Sequence, residues 1–242
     1  MSYLTHTLLG CVLLGASLPA AAQTTSITTC PFDITAPGVY HVTQDLFCPG
    51  NGITINADNV ELHLDGHILD GTGVGEIGIG VYGSNDSVLG SGTVTNFYYD
   101  DIQVQGSGNR LVNLTATSAV LGIDLYSSTQ TTVLNCTANN NIDGIVIEIG
   151  SSQNTLISNT ASGNEFDGIG LYAVSNNILR ANQTDGNYLH GIYVSEGSSS
   201  NLLQANKAHG NTVFDLEDDN TACDANTWKS NSFDTANQPC IN

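Results

Sequence analysis

The chain has 242 residues, of which 40% are hydrophobic, 11% charged and 26 glycine. Asp and Glu number 23 against four Lys and Arg, a formal net charge of −19. Such a surface repels nucleic acid and anionic lipid, which argues against both as partners, and it binds polyanionic sugars poorly unless a cation such as Ca²⁺ mediates. The length suits one domain or one solenoid with a continuous core.

Residues 1–22 read as a secretory signal peptide. Thr7 to Leu18 is apolar but too short to span a bilayer comfortably, and Ala20-Ala21-Ala22 places small residues at the cleavage positions. No Lys or Arg occurs in the first ten residues, only His6, which is off pattern. Leu8-Leu9-Gly10-Cys11 resembles a lipoprotein box but has almost no apolar run before it and a long one after it, so lipidation is set aside. Cleavage after Ala22 leaves 242 − 22 = 220 residues, secreted or periplasmic.

Residues 23–71 read as an N-terminal cap and first turns. Gly38-Val-Tyr-His-Val and Gly52-Ile-Thr-Ile-Asn are short strands. Val60-Glu-Leu-His-Leu-Asp-Gly-His alternates: Val60, Leu62 and Leu64 point one way, Glu61, His63 and Asp65 the other. His67 follows the turn at Gly66. His63, His67 and Asp65 form a candidate divalent-metal set, although polar residues on the solvent side of a half-buried strand are ordinary.

Residues 72–215 repeat themselves. Gly122-Ile-Asp-Leu, Gly144-Ile-Val-Ile, Gly168-Ile-Gly-Leu and Gly191-Ile-Tyr-Val recur at steps of 22, 24 and 23. Asn113, Asn135, Asn159, Asn182 and Asn206 run in phase, and Asn140, Asn164, Asn187 and Asn211 follow the last four of them five residues on. A period in the twenties marks a repeat architecture. The alternating apolar runs are strands, and no room remains for a crossover helix. The expected fold is all-β: a single right-handed parallel β-helix of about seven turns of 22–24 residues. Asparagines stacked turn upon turn can bond one another in a ladder, and Asn tolerates tight left-handed corners.

Residues 216–242 read as a C-terminal cap. Leu216-Glu-Asp-Asp-Asn is acidic and could bind Ca²⁺, but such runs are usually solvated. In an exported protein Cys30 with Cys48 and Cys223 with Cys240 are natural local disulfides closing the two ends, which leaves Cys136 as a small buried thiol. The sequons at Asn85, Asn113, Asn135 and Asn182 mostly fall on the asparagine series and read as by-products of the repeat.

The Gly-Ile-x-Leu turns with their spaced asparagines resemble the right-handed parallel β-helix repeat family, which includes NosD-like copper-accessory proteins and carbohydrate-binding and sugar-hydrolase domains. The opening Val60-Glu-Leu-His-Leu-Asp-Gly-His-Ile and the ending Trp228-Lys-Ser-Asn-Ser-Phe-Asp-Thr-Ala-Asn-Gln-Pro-Cys are similar to first turns and C-terminal caps in that family. The resemblance is specific for fold and weak for function.

Function must come from the site. Aligning the repeats by their glycines stacks Leu121, Asp143, Asp167 and His190, with Asp100 one turn earlier. Outward positions further along hold Asp124 and Tyr193, then Tyr126, Glu148 and Tyr172. The expected catalytic set is His190, Asp167, Asp143 and Tyr193, with Tyr172, Glu148, Tyr126 and Asp124 contacting substrate. Stacked carboxylates raise a pKa, histidine titrates near neutrality, and tyrosines offer flat faces to sugar rings. The residues point to a polysaccharide partner and a uronate lyase or epimerase rather than a hydrolase, acting as a monomer with no cofactor but Ca²⁺ in prospect. The chain lacks the Tyr-Gly-Phe-Asp-Pro-His signature of mannuronan epimerases and any basic residue on the cluster face. A non-catalytic carbohydrate- or surface-binding coil is the alternative, and a NosD-like metal-handling protein the second.

Overall fold

A computed structural model describes residues 24–223 and 225–242. The expected signal peptide lies outside the described residues. Alternating apolar residues form short strands, all paired in parallel, on three faces of a coil. Ten strands run from Thr24–Ile27 to Thr227–Lys229, nine from Phe32–Ile34 to Phe214–Asp218, and five from Leu46–Phe47 to Thr137–Ala138. Single bridges at Thr160 and Gln183 carry the third face on to Lys207–Ala208, which pairs with Ser232–Phe233. The nine-stranded face marks about nine turns of a right-handed parallel β-helix, two more than expected. The count falls short because Phe32–Ile34 already stacks on Ile53–Ile55, and Phe214–Asp218 stacks on His190–Val194 without the glycine that marks earlier turns. No helix among the described residues is long and apolar enough to cross a membrane.

Stacking like on like builds the core. Ile79, Ile102, Ile123, Ile145, Ile169, Ile192 and Leu216 form one buried column, and Leu62, Val88, Leu111, Val133, Leu156, Leu179 and Leu203 face it from the ten-stranded sheet. The repeated glycine has a packing cause. A Cβ at Gly144 would lie 2.4 Å from the Gly168 carbonyl oxygen and 2.7 Å from Asn164 Nδ2, and one at Gly191 would lie 2.7 Å from Asn211 Nδ2. Glycine and asparagine recur together because the amide column occupies the space a side chain would need.

Three asparagine ladders fill the corners. In each, a backbone N–H donates to the Oδ1 of the asparagine on the next turn, at 2.8–3.1 Å. One runs Asn159–Asn182–Asn206–Asn231, one Asn141–Asn164–Asn187–Asn211, and one, invisible to the first count, Asn154–Asn177–Asn201–Asn226. The expected columns are corrected by one residue at their starts. Asn113, Asn135 and Asn140 stand outside the ladders at left-handed φ of 58°, 54° and 57°. The steps of 24 from Asn135 to Asn159 and from Asn140 to Asn164 carry the series from one column to its neighbour, since Asn159 and Asn164 stack on Cys136 and Asn141.

Near the ends, Cys30–Cys48 and Cys223–Cys240 form the expected disulfides, with Cα atoms 5.4 and 6.1 Å apart. Cys136 is free and buried, and burial pushes its thiol up to about 11. Trp228 lies over the final turn and donates its indole N–H to Asp218 Oδ2 at 2.9 Å. Asp215 terminates the second ladder: Oδ1 accepts from the backbone and side-chain amides of Asn211, and Oδ2 from Asp234 N, Thr235 N and Thr235 Oγ1.

Candidate functional site

The outward residues of the nine-stranded sheet form two joined acidic clusters. The first follows the residue before the repeated glycine. Asp100 pairs with Leu121, Leu121 with Asp143, and His190 with Phe214. Asp143 Oδ1 accepts the Asp167 amide at 2.9 Å. Asp167 Oδ1 lies 2.8 Å from His190 Nδ1, and its Oδ2 accepts the Tyr172 hydroxyl at 3.0 Å. The other imidazole nitrogen, Nε2, lies 2.5 Å from Glu217 Oε2. The Tyr193 ring stacks on that of His190 with centroids 5.3 Å apart, and its hydroxyl donates to Asp219 Oδ2 at 2.7 Å. Asp143, Asp167, His190, Tyr172 and Tyr193 thus stand in one connected group.

The electrostatics follow from that packing. Burial works against a charged His190, but the Asp167 hydrogen bond and the carboxylates of Asp167, Glu217 and Asp219 outweigh it and hold its pKa above the ordinary value. Burial pushes Asp143 up to about 6 despite the Asp167 amide, with the Asp167 charge adding to the rise. Burial, followed by the His190 and Asp219 charges pulling opposite ways, leaves Glu217 raised. Burial and the neighbouring carboxylates raise Tyr172 and Tyr193 far out of the working range, so both remain neutral donors.

The second cluster lies toward the N-terminal end, on three successive strands, and meets the first on the strand Asp143–Glu148. Asp124 pairs with Gln103 on one side and Val146 on the other, and Tyr126 pairs with Glu148. Asp100 and Asp124 are 4% and 2% exposed, and each has an Oδ1 without a hydrogen-bond partner. Gln103 donates to Asp100 Oδ2 at 2.7 Å. Burial, then the Asp100 and Glu148 charges, push Asp124 up to about 8, and burial pushes Asp100 up to about 6. The eight expected site residues therefore divide: five join around His190, while Asp124, Glu148 and Tyr126 belong with Asp100.

Several residues of the face escape sequence reasoning. Glu217 and Asp219 lie beyond the apparent end of the repeat, although the step of 24 from His190 to Phe214 would have found them. Along the corner that borders the carboxylates, Tyr99, Phe166 and Tyr188 are 54%, 48% and 66% exposed. Phe166 and Tyr188 line a shallow depression with Gly163, Asn164 and Glu165. Arg110, Arg180 and Lys229 lie on the ten-stranded sheet and Lys207 on the third face, so no Lys or Arg sits in a strand of the acidic face among the described residues. Of the expected metal set, Asp65 and His63 come together, whereas His67 Nδ1 faces Asp45 at 3.3 Å.

The chain belongs to the right-handed β-helix family: the profile of the right-handed beta helix region matches residues 77–238. No curated protein matches it. Among solved structures it is similar to the A-module of the Azotobacter vinelandii mannuronan C-5 epimerase AlgE4, with 13% identity and a TM-score of 0.70 over 87% of this chain and 66% of that one. It is also similar to the Dettilon tailspike protein (19%, TM-score 0.59, 78% of this chain and 42% of that one) and to pectate lyase Pel9A (15%, TM-score 0.57, 85% and 68%). The chain thus spans less than half of the tailspike and about two-thirds of the epimerase module. At these identities the likeness is one of fold.

Proposed function

We propose that the protein is exported and that its nine-stranded face binds and acts on a polysaccharide, with proton transfer at His190. The observation that carries this is the clamp on that imidazole: Asp167 on Nδ1, Glu217 on Nε2 and Tyr193 stacked on the ring. Asp167 fixes the tautomer and leaves Nε2 as the nitrogen that exchanges protons, while Glu217 passes them on or receives them. A histidine held this way, beside neutral phenols, suits a uronate lyase or epimerase. Nε2 takes the proton from the carbon beside the uronate carboxyl. In elimination those electrons form the ring double bond, the C–O bond to the next sugar breaks, and the leaving oxygen takes the proton from the His190 imidazolium, which restores the neutral base. In epimerisation water on the open side of the sugar returns a proton to the other face of the carbon, and His190 releases its own through Glu217. Exposed Phe166 and Tyr188 provide flat apolar surface beside the column.

The face is acidic and a polyuronate is anionic, so a cation is called for. Asp100 and Asp124 leave buried oxygens unpartnered, and with Glu148 they offer the oxygen donors a hard ion such as Ca²⁺ takes. Such an ion would neutralise the substrate carboxylate. The three do not converge as tightly as His41, His63 and Asp65, whose ligand atoms lie within 4.8 Å.

Incubation with polyuronates and neutral glycans, with and without Ca²⁺, tests this. Absorbance reports unsaturated ends, proton NMR reports epimerisation, and reducing sugar reports hydrolysis. His190→Ala, Asp167→Asn and Glu217→Gln should each lower turnover about 100-fold or more. His190 must be deprotonated to act as base, so the rate should rise with pH from neutrality upward. Binding without turnover, indifferent to His190→Ala, would move the protein to the non-catalytic reading. The open, unwalled face favours that alternative, since water is poorly excluded from it.

A further inference from the structure

The ten-stranded sheet carries a different cluster near its N-terminal edge. Strands Gly38–Val42 and Val60–His63 are neighbours in register, with His41 directly paired with His63. Their imidazole rings stack with centroids 4.6 Å apart and planes 6° from parallel. Asp65 follows in a left-handed turn, φ 50°, and brings Oδ2 to 2.6 Å from His41 Nδ1. Glu61 Oε1 lies 2.6 Å from His63 Nε2.

We propose that His41, His63 and Asp65 form a binding site for a divalent transition-metal ion of the Zn²⁺ type. Two imidazoles and one carboxylate are a borderline donor set, matched to Zn²⁺ and its neighbours rather than to Ca²⁺ or Mg²⁺. Their ligand atoms already lie within 4.8 Å of one another. The proton shared between His41 and Asp65 is the one the metal replaces. Glu61 supplies what ligating histidines require: a carboxylate that takes the Nε2–H of His63 and leaves the lone pair on Nδ1. The other surface histidine–carboxylate pairs, His67 with Asp45 and His209 with Asp234, bring no second imidazole and serve as internal controls. The net charge of −19 draws cations to the surface. A bound ion would tie the strand at Gly38–Val42 to its neighbour beside the Cys30–Cys48 disulfide, where a coil is most prone to open.

Equilibrium dialysis of the full mature chain against Zn²⁺ alone tests the site, with Ca²⁺ in parallel. Wild type should bind one Zn²⁺ per chain. His41→Ala, His63→Ala and Asp65→Asn should each weaken binding at least tenfold, with His41→Gln as the variant that keeps side-chain bulk. His67→Ala and His190→Ala should bind as wild type, which separates this site from the glycan face. Thermal unfolding gives a second readout: Zn²⁺ should raise the Tm of wild type but not of His63→Ala. Failure of wild type to retain Zn²⁺, retention unchanged in both His41→Ala and His63→Ala, or an equal loss in His67→Ala would each overturn the assignment.

Discussion

The asparagine corners and the acidic face obey one geometric rule with opposite energetic results. Both bring polar residues from neighbouring turns together. An amide has a donor and an acceptor, so each asparagine satisfies its neighbour, and the ladders from Asn141 to Asn211 and from Asn159 to Asn231 accept at every step. A carboxylate only accepts. Asp100 and Asp124, close but out of register on adjacent turns, leave oxygens unpartnered, and burial beside the Asp167 charge pushes Asp143 up to about 6. The corners hold the coil together. The face stores charge that only a proton, a histidine or a ligand can relieve, and a coil of repeats gathers such unrelieved groups on one side.

The sharpest way to break the comparison is to remove one rung of a ladder. Asn182 accepts from Asn159 and donates to the Leu156 carbonyl and to Asn206 Oδ1. Asn182→Leu should cost about 4 kcal/mol in urea unfolding, because several buried partners lose their bonds together. A change below about 1 kcal/mol would mean that the ladders are decorative.

The opposite substitution should stabilise. Burial drives the inward Asp101 up to about 9, against the pull of the backbone at Phe97 and Thr117 and with some help from Asp100. Its folded pKa lies above the unfolded value, so the native state holds the extra proton. Stability from this group is therefore greatest below about pH 4 and falls as pH rises toward 9. Asp101→Asn should gain on the order of 3 kcal/mol at pH 8 and almost nothing at pH 4. Asp124, at about 8, slopes the same way. His190 adds to that slope, since a raised histidine stabilises below its unfolded value and loses that contribution as pH climbs through the folded one. Wild type should thus unfold at a higher temperature at pH 5 than at pH 8, and an inverted order would sink the reading of the face as strained.

The smallest effect concerns Cys136. Its buried thiol, pushed up to about 11, should resist disulfide reagents in the native state at pH 8 and react only on unfolding.

The coil was legible in the sequence because its period is written in glycine, isoleucine and asparagine, residues whose roles the geometry dictates. Asp143, Asp167 and His190 could be stacked by arithmetic alone. What failed did so where spacing changed or a marker residue was missing. Asp215 stands where a glycine would announce another turn, which hid Glu217 and Asp219. His67 lies close to His63 along the chain, whereas 63 − 41 = 22, the repeat step, points to His41. Neighbours in a solenoid are one period away rather than a few residues away. Side-chain partners such as Tyr193 with Asp219 also depend on rotamers that spacing does not encode.

Asp215 has one more consequence. Each ladder has a direction, and here it ends on a group that accepts from the asparagine below and from the tail above. An amide there would turn a donor toward the Asp234 and Thr235 amides and repel the tail. The terminus is therefore written in a single residue, independent of how many rungs precede it. Duplicating an interior turn would lengthen the molecule by one strand spacing, roughly 4.8 Å, while leaving both extremities untouched.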